Sequence, residues 1–341
     1  MSSTRGGWRM GVVALAVGVM AVLTGCLSAT PGGDQVIQGH SENLEKAVAY
    51  LQTEARSEAP ERRAQAIESL QPLKDGRVTA VVEQGLRDPA AMVRFAAAMA
   101  AGKRHDVALK PALQELVAKE TNGSARVAMI FALEGMGDST NMSQLPGLLA
   151  APEAYTRADA ALALGLMGEK SAIPMLLSRT KDPDVRVRFE ITAALARLGD
   201  AKAQDVVLGM SVSQYGEDRY MAMAVCPDMH RPEVANVLVA GLTDKDPHDG
   251  VIAGRENMIA ARALCRIGDV DNYRAGKLAL QYAYHRPEPE IRALAILALG
   301  EALLPDEEKS VAYFMYQEGE DPRVHLASAA AVVNVWARAS K

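Results

Sequence analysis

Aromatic residues are scarce in this sequence. Four Phe, two Trp and nine Tyr make up 4% of 341 residues, although 49% of the chain is hydrophobic. Rings are the largest units a core can be built from. With so few of them, and alanine plentiful, the interior has to come from short helices packed closely together. Few stretches read as strands. Basic blocks are missing too: 37 Lys and Arg stand against 42 Asp and Glu, for a net charge of -5. Binding to nucleic acid rests on a basic stripe that neutralises phosphates, so that class is disfavoured. The six histidines are scattered, and no HExxH pair occurs, which excludes the usual zinc-protease pattern. GxSxG, a phosphate-binding loop and a dinucleotide fingerprint are all lacking. No catalytic residues, cofactor or resident metal are implied.

There is also no long membrane span. The longest early apolar run, Gly11 to Gly25, is uncharged but short, because a spanning helix needs about 20 apolar residues. The run follows Arg5 and Arg9 and ends in Leu23, Thr24, Gly25 and Cys26. A basic start, a short apolar core and small residues before a cut site describe an export signal. LTGC resembles the lipobox of bacterial lipoproteins. That resemblance implies cleavage before Cys26 and acyl chains on Cys26, with residues 1–25 as the signal peptide. Two or more acyl chains anchor a protein stably, where one is marginal. Leu27, rather than Asp, follows the cysteine, which by the family's sorting rule implies the outer membrane, facing the periplasm. Residues 26–42, rich in Gly, Ser and polar groups, read as a flexible tether. Loss of Arg5 and Arg9 takes the net charge from -5 to -7. Of the cysteines left after Cys26, Cys226 and Cys265 lie in apolar helical patterns and read as free buried thiols.

The remainder of the chain repeats itself. DPDVRVRFEITAALARLGD, residues 182–200, has one apolar helical face and a glycine stop. The same frame places arginine at 63, 94, 126, 157, 188, 219 and 292, with Asn257 and His325 in that position in two further copies. The spacings between copies are 31, 32, 31, 31, 31, 38, 35 and 33. A second helical stretch follows each, as in 108–119, 171–180, 203–212 and 233–243. Two short helices cannot bury their apolar faces alone, but stacked units share one core. The fold expected over 43–341 is therefore all-α, an α-solenoid of about nine helical hairpins. Residues 43–54 are expected to cap its N-terminal end. The frame resembles the HEAT repeats, over about residues 59–340. That resemblance is specific for fold and weak for function, since the same frame serves scaffolds and some enzymes.

Arg63, Arg94, Arg126, Arg157, Arg188, Arg219 and Arg292 invite two readings, a phosphate-binding ladder or a structural one. Each precedes a buried face, and arginine's planar fork suits helix termini and acids such as Asp88, Asp182 and Asp200, so the structural ladder is favoured. Gly137, Gly168, Gly199 and Gly268 read as helix stops. Pro89, Pro183 and Pro322 fit first helical turns. Glu61, Glu68, Glu134 and Glu190 read as a solvated face.

The candidate binding surface lies in the C-terminal third. The loop 244–257, with His248 among Asp244, Asp246 and Asp249, lengthens one unit, and insertions in solenoids often lie on the binding face. It has no calcium-loop spacing. Seven of nine tyrosines lie between 215 and 316. Of these, Tyr282, Tyr284, Tyr313 and Tyr316 belong to second helices, which line the concave surface in the HEAT family. Tyrosine anchors contacts that are apolar on one side and wet on the other. The function expected is a membrane-tethered, non-enzymatic scaffold for a protein partner in the bacterial envelope. Architectural envelope support without one partner, and a lyase-like enzyme-associated role, are the alternatives.

Overall fold

The computed structural model describes residues 33–243, 250–268 and 270–339, and every regular element among them is helical. The lipobox residues Leu23, Thr24, Gly25 and Cys26, and His248, lie outside the described residues. Helix α1 (Gly33–Glu54) comes first. Eight pairs follow: α2 (Pro60–Leu70) with α3 (Gly76–Leu86), α4 (Ala91–Arg104) with α5 (Lys110–Val117), α6 (Gly123–Gly135) with α7 (Leu145–Leu148), α8 (Ala154–Met167) with α9 (Ile173–Leu177), α10 (Val185–Arg197) with α11 (Ala201–Met210), α12 (Gly216–Val225) with α13 (Glu233–Thr243), α14 (Gly250–Ile267) with α15 (Val270–Ala283), and α16 (Pro289–Gly300) with α17 (Lys309–Ala312). Helix α18 (Pro322–Ala339) stands last. The fold is an α-solenoid. Several of its second helices are shorter than the sequence pattern implies, because a 3-10 turn begins them: Val107–Leu109 leads into α5, and Lys170–Ala172 into α9.

Local chemistry sets these boundaries. The Asp75, Asn122, Asp184 and Asp200 side chains each accept from a main-chain N–H in the first turn of the following helix, satisfying donors a helix start leaves open. Gly137, Gly168 and Gly199 end first helices at φ 74, 69 and 91°, where a side chain would be strained. Pro322 opens α18, whereas Pro89 and Pro183 lie two residues ahead of α4 and α10. Those two prolines are part of the preceding turn rather than of the helix.

The solenoid closes on itself. Helix α1 packs along α18 as well as α2, and α18 also touches α2. Unit nine is thus shared between the chain's ends: α18 is its first helix, and α1 takes the place of a second. The sequence reading had α1 as a cap over an open end, starting at residue 43. Instead it is the closing member of a ring, and its helix starts at Gly33, inside the segment expected as tether. The core follows the ring without a break, from Ala47, Val48 and Leu51 to Val332, Val333 and Val335.

Ring closure explains the alanine. First helices form the inner circle and must pack at a smaller circumference than the second helices outside them. Small side chains allow that approach. A Cβ on Gly165 would lie 2.8 Å from Ala194 Cα, and one on Gly300 would lie 2.4 Å from Ala331 Cα. First helices all run in one direction, as their end-to-end bonds show. Arg63 near the start of α2 holds Asp88 just before α4, and Arg262 late in α14 holds Glu301 at the end of α16.

Candidate binding surfaces

The repeated arginines form a circuit along one edge of the ring. Arg157 is typical. Its Nε and Nη2 donate to the two carboxylate oxygens of Asp182 at 2.8 Å each, while Nη1 donates to the carbonyls of Ala151 and Pro152 at 2.9 and 2.8 Å. One guanidinium thereby ties the turn before its own helix to the turn before the next first helix. Arg63 does the same with Asp88, Ser57 and Glu58, and Arg94 with Glu120, Asp88 and Pro89. Arg292 joins Glu320 at 2.5 Å and the carbonyls of Arg286 and Pro287. Arg219 donates to Glu256 at 2.7 Å across the longest unit. Arg126 and Arg188 reach main-chain carbonyls, of Glu120 for the first and of Asp182 and Pro183 for the second. Ala151 and Ser213 stand 25 residues on from these two, where Asp88 and Asp182 stand relative to Arg63 and Arg157. Asp200, expected as a partner, caps α11 instead. His325, in the arginine position of the last unit, meets the Gln317 carbonyl at 2.9 Å through Nε2. The neighbouring guanidinium holds the Asp182 carboxyl below its ordinary value, chiefly by the Arg157 hydrogen bonds.

The four tyrosines belong to the second-helix layer of the last units, and two of them, Tyr284 and Tyr313, are joined through Phe314. Tyr282 on α15 is 75% exposed, Tyr313 56% and Tyr316 48%. Tyr284 is half-buried and meets Phe314 edge to face, with ring centroids 5.5 Å apart. Tyr313 meets Phe314 in the same way at 5.3 Å. Beside them lies a depression of about 670 Å³, lined by Tyr284, His285, Arg286, Lys309, Tyr313 and Phe314. Tyr316 has a different task. Its hydroxyl donates to Asn43 Oδ1 at 2.6 Å, and Lys46 lies 5.2 Å from its ring centroid. These residues do not line the concave surface, as the sequence reading held for second helices. The inner wall belongs to the first helices.

That inner wall encloses a lumen of about 950 Å³. Its lining comes from α2, α4, α8, α12, α14, α16 and α18 and the residues at their ends. Because the helices run in register, position along each helix gives depth. Arg255, Glu290 and Arg323 lie toward the helix starts. Met99, Leu162, Leu294, Leu297 and Leu326 lie in the middle, and Lys103, Arg262 and Glu301 toward the helix ends. Arg323 pairs with Glu290 at 2.7 Å, and Arg262 grips both oxygens of Glu301. Arg255 is held more loosely. Its guanidinium stacks over Tyr220 at 4.7 Å, and its contact to Glu217 is 3.5 Å long.

Sequence reasoning missed this surface and assigned its Glu68 to a solvated face, as it did Glu190 on α10. Glu68 reaches water, yet the walls crowd it, and that desolvation raises its carboxyl above the ordinary value against the pull of Lys103. Glu190 is raised by the same cause, with Arg197 opposing and Asp159 adding to it. Asp159 is raised by desolvation, opposed by Ser124. The available signal was charge recurring within otherwise apolar first helices. Glu61, by contrast, is exposed, and one carboxyl oxygen of Glu134 is buried without a hydrogen bond.

Cys226 is buried and Cys265 half-buried, and both are free thiols. Burial pushes them up to about 12 and about 11, which leaves them unreactive at neutral pH. Among the described residues no three potential metal ligands cluster. No described helix is long and apolar enough to cross a membrane.

Paired helices, shared core and arginine ladder define a helical-repeat protein. Over residues 48–134 and 144–224 the chain matches the profile of the HEAT repeats. The chain is similar to the complex of CpcE and CpcF of phycocyanin lyase from Nostoc, at 18% identity over 73% of this chain and 92% of that one, with a TM-score of 0.39. It is similar to human deoxyhypusine hydroxylase at 16% identity, over 77% and 98%, with a TM-score of 0.35. With Kap121p the identity is 12%, over 85% of this chain and 37% of that one, and the TM-score is 0.34. No curated protein matches the chain.

Proposed function

We propose that this protein is a non-enzymatic scaffold that binds a protein partner, held at a bacterial envelope membrane by acyl chains on Cys26. The observation that carries the partner reading is the aromatic surface on the outside of the ring. Tyr282 and Tyr313 are exposed at 75% and 56%, and Tyr313 lines a depression of about 670 Å³ with Tyr284, Arg286 and Lys309. An exposed ring already packed on another, as Tyr313 is on Phe314, loses little conformational freedom on binding, which suits it as an anchor. HEAT repeats support a scaffold role. The anchor rests on LTGC alone, and outer-membrane placement on Leu27.

Two measurements test the two halves separately. Crosslinking in intact cells, followed by partner identification, is run for the wild type and for Tyr282→Ser with Tyr313→Ser. Lost capture with an unchanged helical melt supports the aromatic surface, and retained capture removes it. Intact mass of the mature chain tests the anchor: an unmodified N-terminus rules out lipidation at Cys26.

A further inference from the structure

The lumen is independent of the aromatic surface and has its own chemistry. About 950 Å³ falls within the range of ligand cavities. Its middle band is mostly apolar, made by Met99, Leu162, Leu294, Leu297 and Leu326, with Gln65 and Glu68 of α2 also in the lining. Charged residues bound it at both depths. Along α16 the band runs from Glu290 to Glu301, which at 1.5 Å per residue is about 16 Å.

We propose that the lumen binds a single-chain amphiphile with an anionic head group, the acyl chain lying in the apolar band and the head group meeting Arg255. Two observations select this class. An extended peptide brings N–H and C=O groups that need partners wherever water is displaced. Along α4, α8 and α16 the band offers none, because the main chain there is paired within helices and the side chains are hydrocarbon or thioether; the polar side chains Gln65, Glu68 and Ser69 of the lining are confined to α2, and Asn334 lies deeper on α18. An acyl chain makes no such demand. Charge selects the head group. Arg323 and Arg262 already hold Glu290 and Glu301 closely, whereas Arg255 rests on the Tyr220 ring with its carboxylate contact at 3.5 Å. An anion reaching the lumen at that depth meets a guanidinium able to donate to it.

The test is isothermal titration calorimetry on the full chain carrying Cys26→Ser, with dodecanoate, dodecanol and butyrate as probes. One dodecanoate per chain is expected, with dodecanol weaker by about tenfold for want of the charge-assisted bond, and no binding of butyrate. The apolar run at residues 11–25 is a second place for an acyl chain to lie, so a lumen variant decides between them. Ala293→Trp fills the band and leaves that run untouched, and dodecanoate binding is expected to vanish. Leu297→Gln is the milder variant, with an expected loss of about tenfold at an unchanged helical melt. Arg255→Gln is expected to bring dodecanoate down to the dodecanol level. No dodecanoate binding by the wild type overturns the proposal, as does binding unchanged by Leu297→Gln. A preference for dodecanoate that survives Arg255→Gln overturns the head-group assignment.

Discussion

The Tyr316 hydroxyl donates to Asn43 Oδ1 at 2.6 Å, joining residues 273 positions apart. An open solenoid keeps its contacts within neighbouring repeats. Here one hydrogen bond, the Lys46–Tyr316 contact and the packing of α1 on α18 bring the last unit against the first helix. The consequence is energetic as well as geometric. A ring has no terminal repeat with one bare face, so each unit is supported on both sides, and opening the seam exposes two faces at once.

Leu51 is the residue through which this can be tested. It is fully buried on α1. Leu51→Ala is expected to lower stability by about 2–5 kcal/mol, the range for a buried leucine cut back in a packed core. It is also expected to increase the radius of gyration in small-angle scattering, because the lost packing is at the closing helix. Lower stability without any expansion would mean that the ring stays closed without α1.

The Arg157–Asp182 pair has side chains only 11% and 4% exposed. Arg157→Ala leaves Asp182 buried without its guanidinium, a loss of about 3–5 kcal/mol for such pairs. The pH dependence has a definite sign. Asp182 is lowered in the folded chain, mainly by its Arg157 hydrogen bonds. Its contribution is therefore whole above the ordinary aspartate value and is lost as pH falls through the lowered one. Denaturant melts at pH 7 should separate wild type and variant widely, and melts well below pH 3.8 should bring them together. Equal midpoints at pH 7 would place the pair among inert surface bridges.

Periodicity made the units legible, and ring closure was not. The spacing of 31 or 32 residues from Arg63 to Arg219 fixes where first helices begin, and the glycines at 137, 168 and 199 end them at positive φ. Those are local signals, repeated. Closure depends on the sum of small rotations between units, and no single repeat encodes it. The Asn43–Tyr316 bond gives no pattern in sequence, since neither residue differs from its neighbours in any way that names the other. The aromatic surface was legible as a cluster of tyrosines, but its side of the ring was not, because inner and outer helices are both amphipathic. The lumen was hidden for the same reason. Glu68 looks like an ordinary solvated acid until the first helices are brought into a circle.

Glu190 carries a cost that removal should reveal. Burial raises its carboxyl above the ordinary value, so folding disfavours the charged form. That cost is absent below the unfolded value, grows as pH rises toward the folded one, and is complete above it. Glu190→Gln removes the charge while keeping the shape. The variant is expected to melt about 2 °C higher than wild type at pH 7, with the difference vanishing at pH 4. A lower melting temperature at pH 7 would mean that the carboxylate is held by favourable contacts that outweigh its desolvation.

Gly300 tests whether the inner circle is as tight as closure requires. It is helical, so alanine suits its backbone and by propensity alone would stabilise α16. Space decides the other way. A Cβ there would lie 2.4 Å from Ala331 Cα and 2.7 Å from Ala331 O, and these are main-chain atoms of α18 that cannot swing aside. Gly300→Ala is therefore expected to destabilise the protein by about 1–3 kcal/mol, the range for overpacking, despite its better helix propensity. Gly209→Ala is the control, since nothing lies within 4 Å of its added Cβ. It sits on α11, an outer helix, and should leave stability unchanged or raise it by up to about 1 kcal/mol. Chemical denaturation of both variants beside the wild type settles the matter. If Gly300→Ala were as stable as Gly209→Ala, α16 and α18 would have room to part, and the smaller inner circumference could not be what selects small residues on the first helices.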